Sequence, residues 1–290
     1  MANLSNSNSN RRRKRKSGKP NAKRGSQQGS PKKTTRTGRP RSGAPTRPNK
    51  PVEDGKMRLN RYISSCGVCS RREADVLIQA GAISVNGEIV VDFGYRVDPT
   101  KDQVQYDGQT IRMNDLRYVL LNKPKNYTIS SDDPTKQRSA YQLLRGACKE
   151  PIVSVGRMDR LTVGLVLFTN DGDLIRRLTN PSGGAVQLYH VTCVEKIKTA
   201  HIETMLEGVR YGDGMVKPSK IEFVGDDPRQ VGVEIQTGRN RAVRGLFEQF
   251  GYTIAKLDRV KIGPLTKKDL PRGHYRHLSE QEVNFLAMIR

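Results

Sequence analysis

A chain of 290 residues with 52 Lys and Arg against 29 Asp and Glu carries a formal net charge of +23, which points to a polyanionic partner: nucleic acid or an anionic membrane surface. No apolar run reaches the roughly 18 residues of a bilayer span, and no apolar stretch follows the basic start to make a signal peptide. Four cysteines, Cys66, Cys69, Cys148 and Cys193, are few for the length and read as reduced thiols in a reducing, cytoplasmic setting.

The charge is concentrated at the start. Residues 1–50 hold 16 Lys and Arg and no Asp or Glu, which leaves +7 for the rest of the chain. Their apolar residues are Met1, Ala2, Leu4, Ala22 and Ala44. That is too little surface to offset chain entropy, so residues 1–56 are expected to form a disordered basic tail. Two readings stand for it: an arm that grips RNA phosphates, or a solvated tail. The run RRRKRK at 11–16 also imitates a nuclear signal, and the acid-free composition imitates a transit peptide without its amphipathic face.

Order is expected from Met57. Leu59, Ile63 and Cys66 share a helical face with Tyr62 beside them, and Gly67 ends the pattern. Ser70 and Glu73 have the spacing of a capping box, Ala74, Leu77 and Ile78 follow on one face, and Gly81 sits where a left-handed residue closes the helix. Asn86-Gly87 and Asp107-Gly108, each between apolar runs, predict two hairpins. Arg58, Arg61, Arg71 and Arg72 lie off the apolar face: either a solvated helical surface or one that meets RNA phosphates. Cys66 and Cys69 lack the two further ligands a zinc site requires and read as packed thiols.

From residue 117 strands and helices alternate without a βαβ rhythm. Strands are predicted at 118–121, 151–155, 165–169, 189–194, 219–224, 231–236 and 253–262. Helices are predicted at 173–179, at 200–207 with Thr199 as cap, from a cap at Asn240 to Phe250, and after a capping box at Ser279 and Glu282. The fold class is α+β with a mixed, largely antiparallel sheet over 117–290, preceded by a small module over 57–112.

No P-loop, Gly-x-Gly-x-x-Gly after a strand or His-Glu-x-x-His occurs, so any reaction is expected to need neither metal nor cofactor. Asp159 is the strongest candidate for chemistry. It follows an apolar strand in a glycine-containing loop between Arg157 and Arg160, where a carboxylate stays ionised. A turn aspartate in surface ion pairs explains the same spacing. Tyr189, taken alone, reads first as an aromatic on a buried sheet face. Arg239, Arg241 and Arg244 crowd a helix start, where the dipole disfavours cations unless an anion binds there.

Two resemblances go further. Residues 57–104 resemble the S4 domain, a small RNA-binding module. The segment 156–172, GRMDRLTVGLVLFTNDG, resembles the signature of pseudouridine synthases, in the subfamily that acts on bacterial ribosomal RNA. LNKP at 121–124, GRNRAVR at 238–244 and LDRVKIGPL at 257–265 agree in order and spacing. The resemblance implies that Asp159 is the nucleophile, that Tyr189 stacks on the uracil and helps move a proton, and that Arg244 pairs with Asp159 through a bidentate guanidinium. It implies RNA contacts from Arg58, Arg61, Arg71, Arg72, Asn86, Lys123, Arg157, Arg239 and Arg241. The chain departs from the pattern at Gln187, Ala242 and Gly245, where the family commonly has a basic residue, Gln and Arg. The implied partner is ribosomal RNA, the large subunit's 23S RNA ahead of 16S, free or in an assembling particle. A monomer is expected, with no membrane partner. The alternative is a non-catalytic S4-type assembly factor that uses the same cleft to hold RNA.

Overall fold

The computed structural model describes residues 55–129, 138–180, 184–212, 214–239 and 241–289. Of the predicted basic tail, Gly55 and Lys56 fall within these; the rest of it, and the predicted cap Asn240, lie outside the described residues.

The N-terminal module is built on two short helices. β1 (Met57–Arg58) leads into α1 (Leu59–Ser65), and α2 (Arg71–Gln79) follows. Both arms of the predicted capping box form on α2: the Ser70 hydroxyl accepts from the Glu73 amide and the Glu73 carboxylate accepts from the Ser70 amide. Then come β2 (Ile83–Val85), β3 (Glu88–Ile89), β4 (Arg96–Val97), β5 (Val104–Tyr106) and β6 (Gln109–Thr110). The two predicted hairpins are β2–β3 and β5–β6, and β2 also pairs with β5. Asn86, Gly87, Asp107 and Gly108 all have positive φ, as turns matched to strand twist require. Leu59, Tyr62, Ile63, Ala74, Ile78, Ile83 and Val104 make a core local to this module. Cys66 and Cys69 pack against it, and burial pushes the Cys66 thiol up to about 12.

The larger part opens with β7 (Tyr118–Lys123), α3 (Ala140–Leu143), β8 (Val153–Ser154), β9 (Val163–Thr169) and α4 (Gly172–Leu178). It continues with β10 (Gln187–Cys193), α5 (Thr199–Glu207), β11 (Val209–Tyr211), β12 (Gly214–Val216), β13 (Lys220–Phe223) and β14 (Gln230–Ile235). It closes with α6 (Ala242–Gln249), β15 (Ile254–Ile262), β16 (Leu265–Thr266), β17 (Tyr275–His277) and α7 (Glu280–Ala287). Among the described residues the main sheet has the order β13-β14-β10-β15-β9-β7-β17, with β16 on β15 and β8 on β9. Its pairs are antiparallel except β9 with β15.

Every residue of β9 is buried, which explains its unbroken apolar run: the strand is covered on both faces. Gly164 is fixed by the parallel approach of β15. It has φ +101°, and a Cβ there would lie 2.3 Å from the Arg259 carbonyl oxygen. One apolar cluster, with Val191, Val233, Leu246 and Phe247, joins α6 to the sheet; a second, with Leu165, Leu167, Leu174 and Leu286, joins α4 and α7 to it.

Several expectations change. Lys198, not Thr199, occupies the N-cap of α5, and it makes no side-chain cap bond. The residue before α6 is Arg241, in the left-handed region at φ 61°. The strand predicted over 151–155 is a strand at Val153–Ser154, with the Val155 amide also bonded to the Leu167 carbonyl of β9. The hairpin of β11 and β12 and the edge strand β17 were not predicted. Among the described residues no helix is long and apolar enough to cross a membrane.

Candidate active site

Asp159 sits in the loop between β8 and β9, and that loop is fastened on both sides. The preceding Met158 is buried in a cluster with Val119, Leu121 and Phe168. The following Arg160 offers its carbonyl to the Asn126 amide at 2.9 Å and to Lys123 Nζ at 3.3 Å. Asp159 itself accepts from the Thr162 amide at 2.7 Å and the Thr162 hydroxyl at 2.8 Å. Arg244, on the first turn of α6, donates from Nε to Oδ2 at 3.4 Å. Burial pushes the Asp159 carboxyl up, but the Thr162 bonds and the Arg244 charge more than reverse this and hold it below the usual carboxylate range. The result is an ionised, positioned carboxylate at the wall of a cleft that Tyr189, Thr237, Arg239, Arg241 and Arg244 also line.

Tyr189 lies on β10, between β14 and β15. Its neighbour Leu188 pairs with Lys261 while Tyr189 pairs with Arg259, so Val260 is the extra residue of a β-bulge. Bulges re-aim side chains beside functional sites. Here the bulge sets Arg259 directly opposite Tyr189, where uninterrupted pairing would have set Val260. The Tyr189 hydroxyl donates to Gln187 Oε1 at 2.8 Å. A second cleft shares Tyr189, Thr237 and Arg239 with the first and adds Arg157, Gln187 and Arg259.

The structure thus brings Asp159, Tyr189, Arg244, Arg239 and Arg241 to one cleft and Arg157 to the adjoining one. Arg157 and Arg239 are exposed at the clefts. Arg241 is exposed and pairs with Glu248 at 3.4 Å.

Four of the residues with implied roles have partners inside the chain. Lys123 is fully buried and donates to the carbonyls of Pro124, Tyr127 and Arg160, so it braces the Asp159 loop and cannot reach a phosphate. Asn86 donates to Asp102 and accepts from the Gln103 amide, a turn role. Arg61 is committed to Asp173 at the start of α4, tying the module to the larger sheet domain. Arg244 meets Asp159 through one long contact, not a bidentate pair. Arg58, Arg71 and Arg72 remain exposed.

Thr162 and Arg259 were missed. Asp159 and Thr162, three apart, have the spacing of a local side-chain-to-backbone turn, so Thr162 was findable. Arg259 owes its place to the bulge. At Gly245 there is no room for a side chain: a Cβ would lie 2.1 Å from the Tyr211 ring, which β11 packs against α6.

Comparison with known proteins places both parts of the chain. Residues 57–104 match the S4 domain, and residues 117–249 match the RNA pseudouridylate synthase domain. An uncharacterized RNA pseudouridine synthase of Aquifex aeolicus is 33% identical, across 79% of this chain and 92% of its own length. Ribosomal large subunit pseudouridine synthase B of Bacillus subtilis is 32% identical, across 80% and 96%. Ribosomal small subunit pseudouridine synthase A of Escherichia coli is 34% identical, across 78% and 98%. A crystal structure of a pseudouridylate synthase superposes with a TM-score of 0.56 at 29% identity, covering 79% of this chain and 99% of that one. The chain belongs to the RNA pseudouridine synthase family, in the part of it that carries an S4 domain ahead of the synthase domain.

Proposed function

We propose that this enzyme converts a uridine of ribosomal RNA, in 23S RNA ahead of 16S, to pseudouridine in the cytoplasm, with Asp159 as nucleophile. The observation that carries the reading is the ionised Asp159 beside Arg244 and Tyr189 in one cleft. The division of labour follows the two matched regions: residues 57–112 dock on RNA, and residues 117–290 hold the flipped uridine.

In the reaction the N1–C1′ bond breaks, the uracil turns, and C5 bonds to C1′. C5 loses its hydrogen as a proton, N1 gains one, and no electrons are exchanged with outside. Asp159 attacks the nucleotide or stabilises the sugar that N1 leaves. Arg244 keeps the carboxylate charged and aimed. The Tyr189 ring stacks on the uracil. Arg157, Arg239 and Arg241 supply charge for the neighbouring phosphates, and the exposed Arg58, Arg71 and Arg72 do so for RNA at a distance. The preference for 23S RNA rests on resemblance in the segment 266–278; the relatives include both a large-subunit and a small-subunit synthase.

Ribosomal RNA carrying tritium at uracil C5 tests this directly, because forming the C5–C1′ bond expels that hydrogen. Wild type releases tritium and Asp159→Ala releases none, with 23S fragments served before 16S fragments. RNA binding without release from any ribosomal RNA or precursor particle overturns the reading in favour of an assembly factor.

A further inference from the structure

Gln187 stands beside Tyr189 in the second cleft, and the structure gives that residue work. Gln187 and Tyr189 stand two apart on β10 and so face the same side of the sheet. Arg259, brought opposite Tyr189 by the bulge, faces that side too. All three meet at one atom. Gln187 Oε1 lies 2.8 Å from the Tyr189 hydroxyl and 3.0 Å from Arg259 Nη1.

The chemistry of that atom leaves little freedom. A guanidinium can only donate, so the carboxamide atom facing Arg259 must be the oxygen. That fixes the amide's orientation, and its nitrogen then donates to the Thr237 carbonyl at 3.3 Å. An oxygen acceptor in turn obliges the Tyr189 hydroxyl to donate toward it. Arg259 is itself held: it is 4% exposed, and its Nε donates to the Leu165 carbonyl at 2.7 Å on the fully buried β9. A chain of donors and acceptors thus runs from the centre of the sheet to the hydroxyl of Tyr189.

We propose that Gln187 and Arg259 are positioning residues for Tyr189: Arg259 orients the Gln187 carboxamide, and Gln187 draws the hydroxyl hydrogen of Tyr189 away from the cleft, so that the phenol oxygen presents its lone pairs to the nucleotide. The hydroxyl therefore meets the substrate as a hydrogen-bond acceptor, suited to an N–H of the uracil; with its own hydrogen given to a carboxamide that is no base, it orients the ring and does not itself take up the C5 proton. A basic residue at 187 would face Arg259 as a second donor and would leave the hydroxyl hydrogen free to point into the cleft. The proposal rests on the pseudouridine synthase reading above and adds the orientation of one of its side chains.

Three replacements of Gln187 separate orientation from mere filling of space. Gln187→Glu keeps an acceptor for both donors. Gln187→Met keeps the shape and removes the acceptor. Gln187→Lys replaces the acceptor with a donor. Single-turnover tritium release with enzyme in excess gives the rate, and RNA affinity and melting temperature are measured alongside. The Glu variant should stay within about threefold of wild type. The Met and Lys variants should be about tenfold slower, the scale of one lost oriented hydrogen bond. All three should bind RNA within about twofold of wild type. Should Gln187→Met not fold, the contrast of Glu with Lys decides alone. Equal rates for Glu and Lys, or slowing that only tracks lost RNA affinity, overturns the proposal while leaving the functional reading intact. A wild-type enzyme that releases no tritium overturns both.

Discussion

Two aspartates flank the same parallel strand pair and are treated in opposite ways. Asp258, on β15 opposite Val163, is 1% exposed and accepts from Lys267 and Arg272, each at 2.9 Å. Asp159, four residues before Val163, is 18% exposed and has one arginine contact at 3.4 Å. Burial raises both carboxyls and their partners lower both, with a net downward shift in each. The difference lies in what remains for a ligand. Asp258 spends its charge on two cations of its own chain, and its second oxygen has no partner among the described residues. Asp159 takes two bonds from Thr162, which fix its direction and add no charge. A carboxylate left open to a ligand is aimed by neutral donors and loosely neutralised; a carboxylate shut inside the fold is neutralised by two cations of its own chain.

The largest way to break this contrast is to remove each charge at constant shape. Asp159→Asn should drop tritium release to background, a loss of at least about a thousandfold, with melting lowered by less than in Asp258→Asn, since its one cation contact is long at 3.4 Å. Asp258→Asn should do the reverse. It should cost about 2 kcal/mol by denaturant titration, less than the roughly 3–5 kcal/mol of a fully buried pair because Lys267 and Arg272 each keep a third of their surface in water. Its folded fraction should turn over near the wild-type rate. An Asp258→Asn enzyme that is stable but inactive would erase the distinction.

Arg244 sharpens the comparison at smaller magnitude. With a single long contact, charge matters more than the planar fork, so Arg244→Lys should retain activity within about tenfold while Arg244→Ala loses about a hundredfold in single-turnover rate. If instead Lys performs as poorly as Ala, the guanidinium closes into a bidentate grip once RNA is bound, and the looseness seen here belongs to the free enzyme.

Most elements were legible because their signals are local. The capping boxes at Ser70 and Ser279 and the two glycine hairpins depend on residues within a turn of each other, and the structure keeps them all. The apolar run of β9 announced a strand, which the structure buries on both faces. The residues implied by resemblance for the cleft, Asp159, Tyr189 and Arg244, do line one cavity. What escaped depends on partners far away in sequence. Lys123 reads as a surface cation until β7, the turn after it and the Asp159 loop close around its amine. Arg61 reads as part of a phosphate face until α4 brings Asp173 to it. Arg259 becomes a neighbour of Tyr189 only through a one-residue slip in pairing, which no periodicity reveals.

Lys123 offers the smallest and most specific effect, at the opposite end of the pH scale from the two aspartates. Asp159 and Asp258, with folded pKa values below the ordinary value of about 3.9, contribute stability that is present above that pH and is lost as pH falls through their folded values. Burial pushes Lys123 down to about 8, with Asp159 opposing that shift. Between about pH 8 and the ordinary lysine value of about 10.4, the unfolded chain then binds the proton that the folded chain has given up, so stability from this group rises with pH across that window. Below it the cation is kept inside by three carbonyls. Lys123→Met removes both the charge and those bonds. The melting temperature of wild type minus that of the variant should therefore increase from pH 8 to pH 10, a trend that a solvated lysine cannot produce. A flat difference would mean that the amine stays protonated throughout, held by Asp159 as a charge partner, and the brace on the Asp159 loop would then be an ion pair as much as a set of hydrogen bonds.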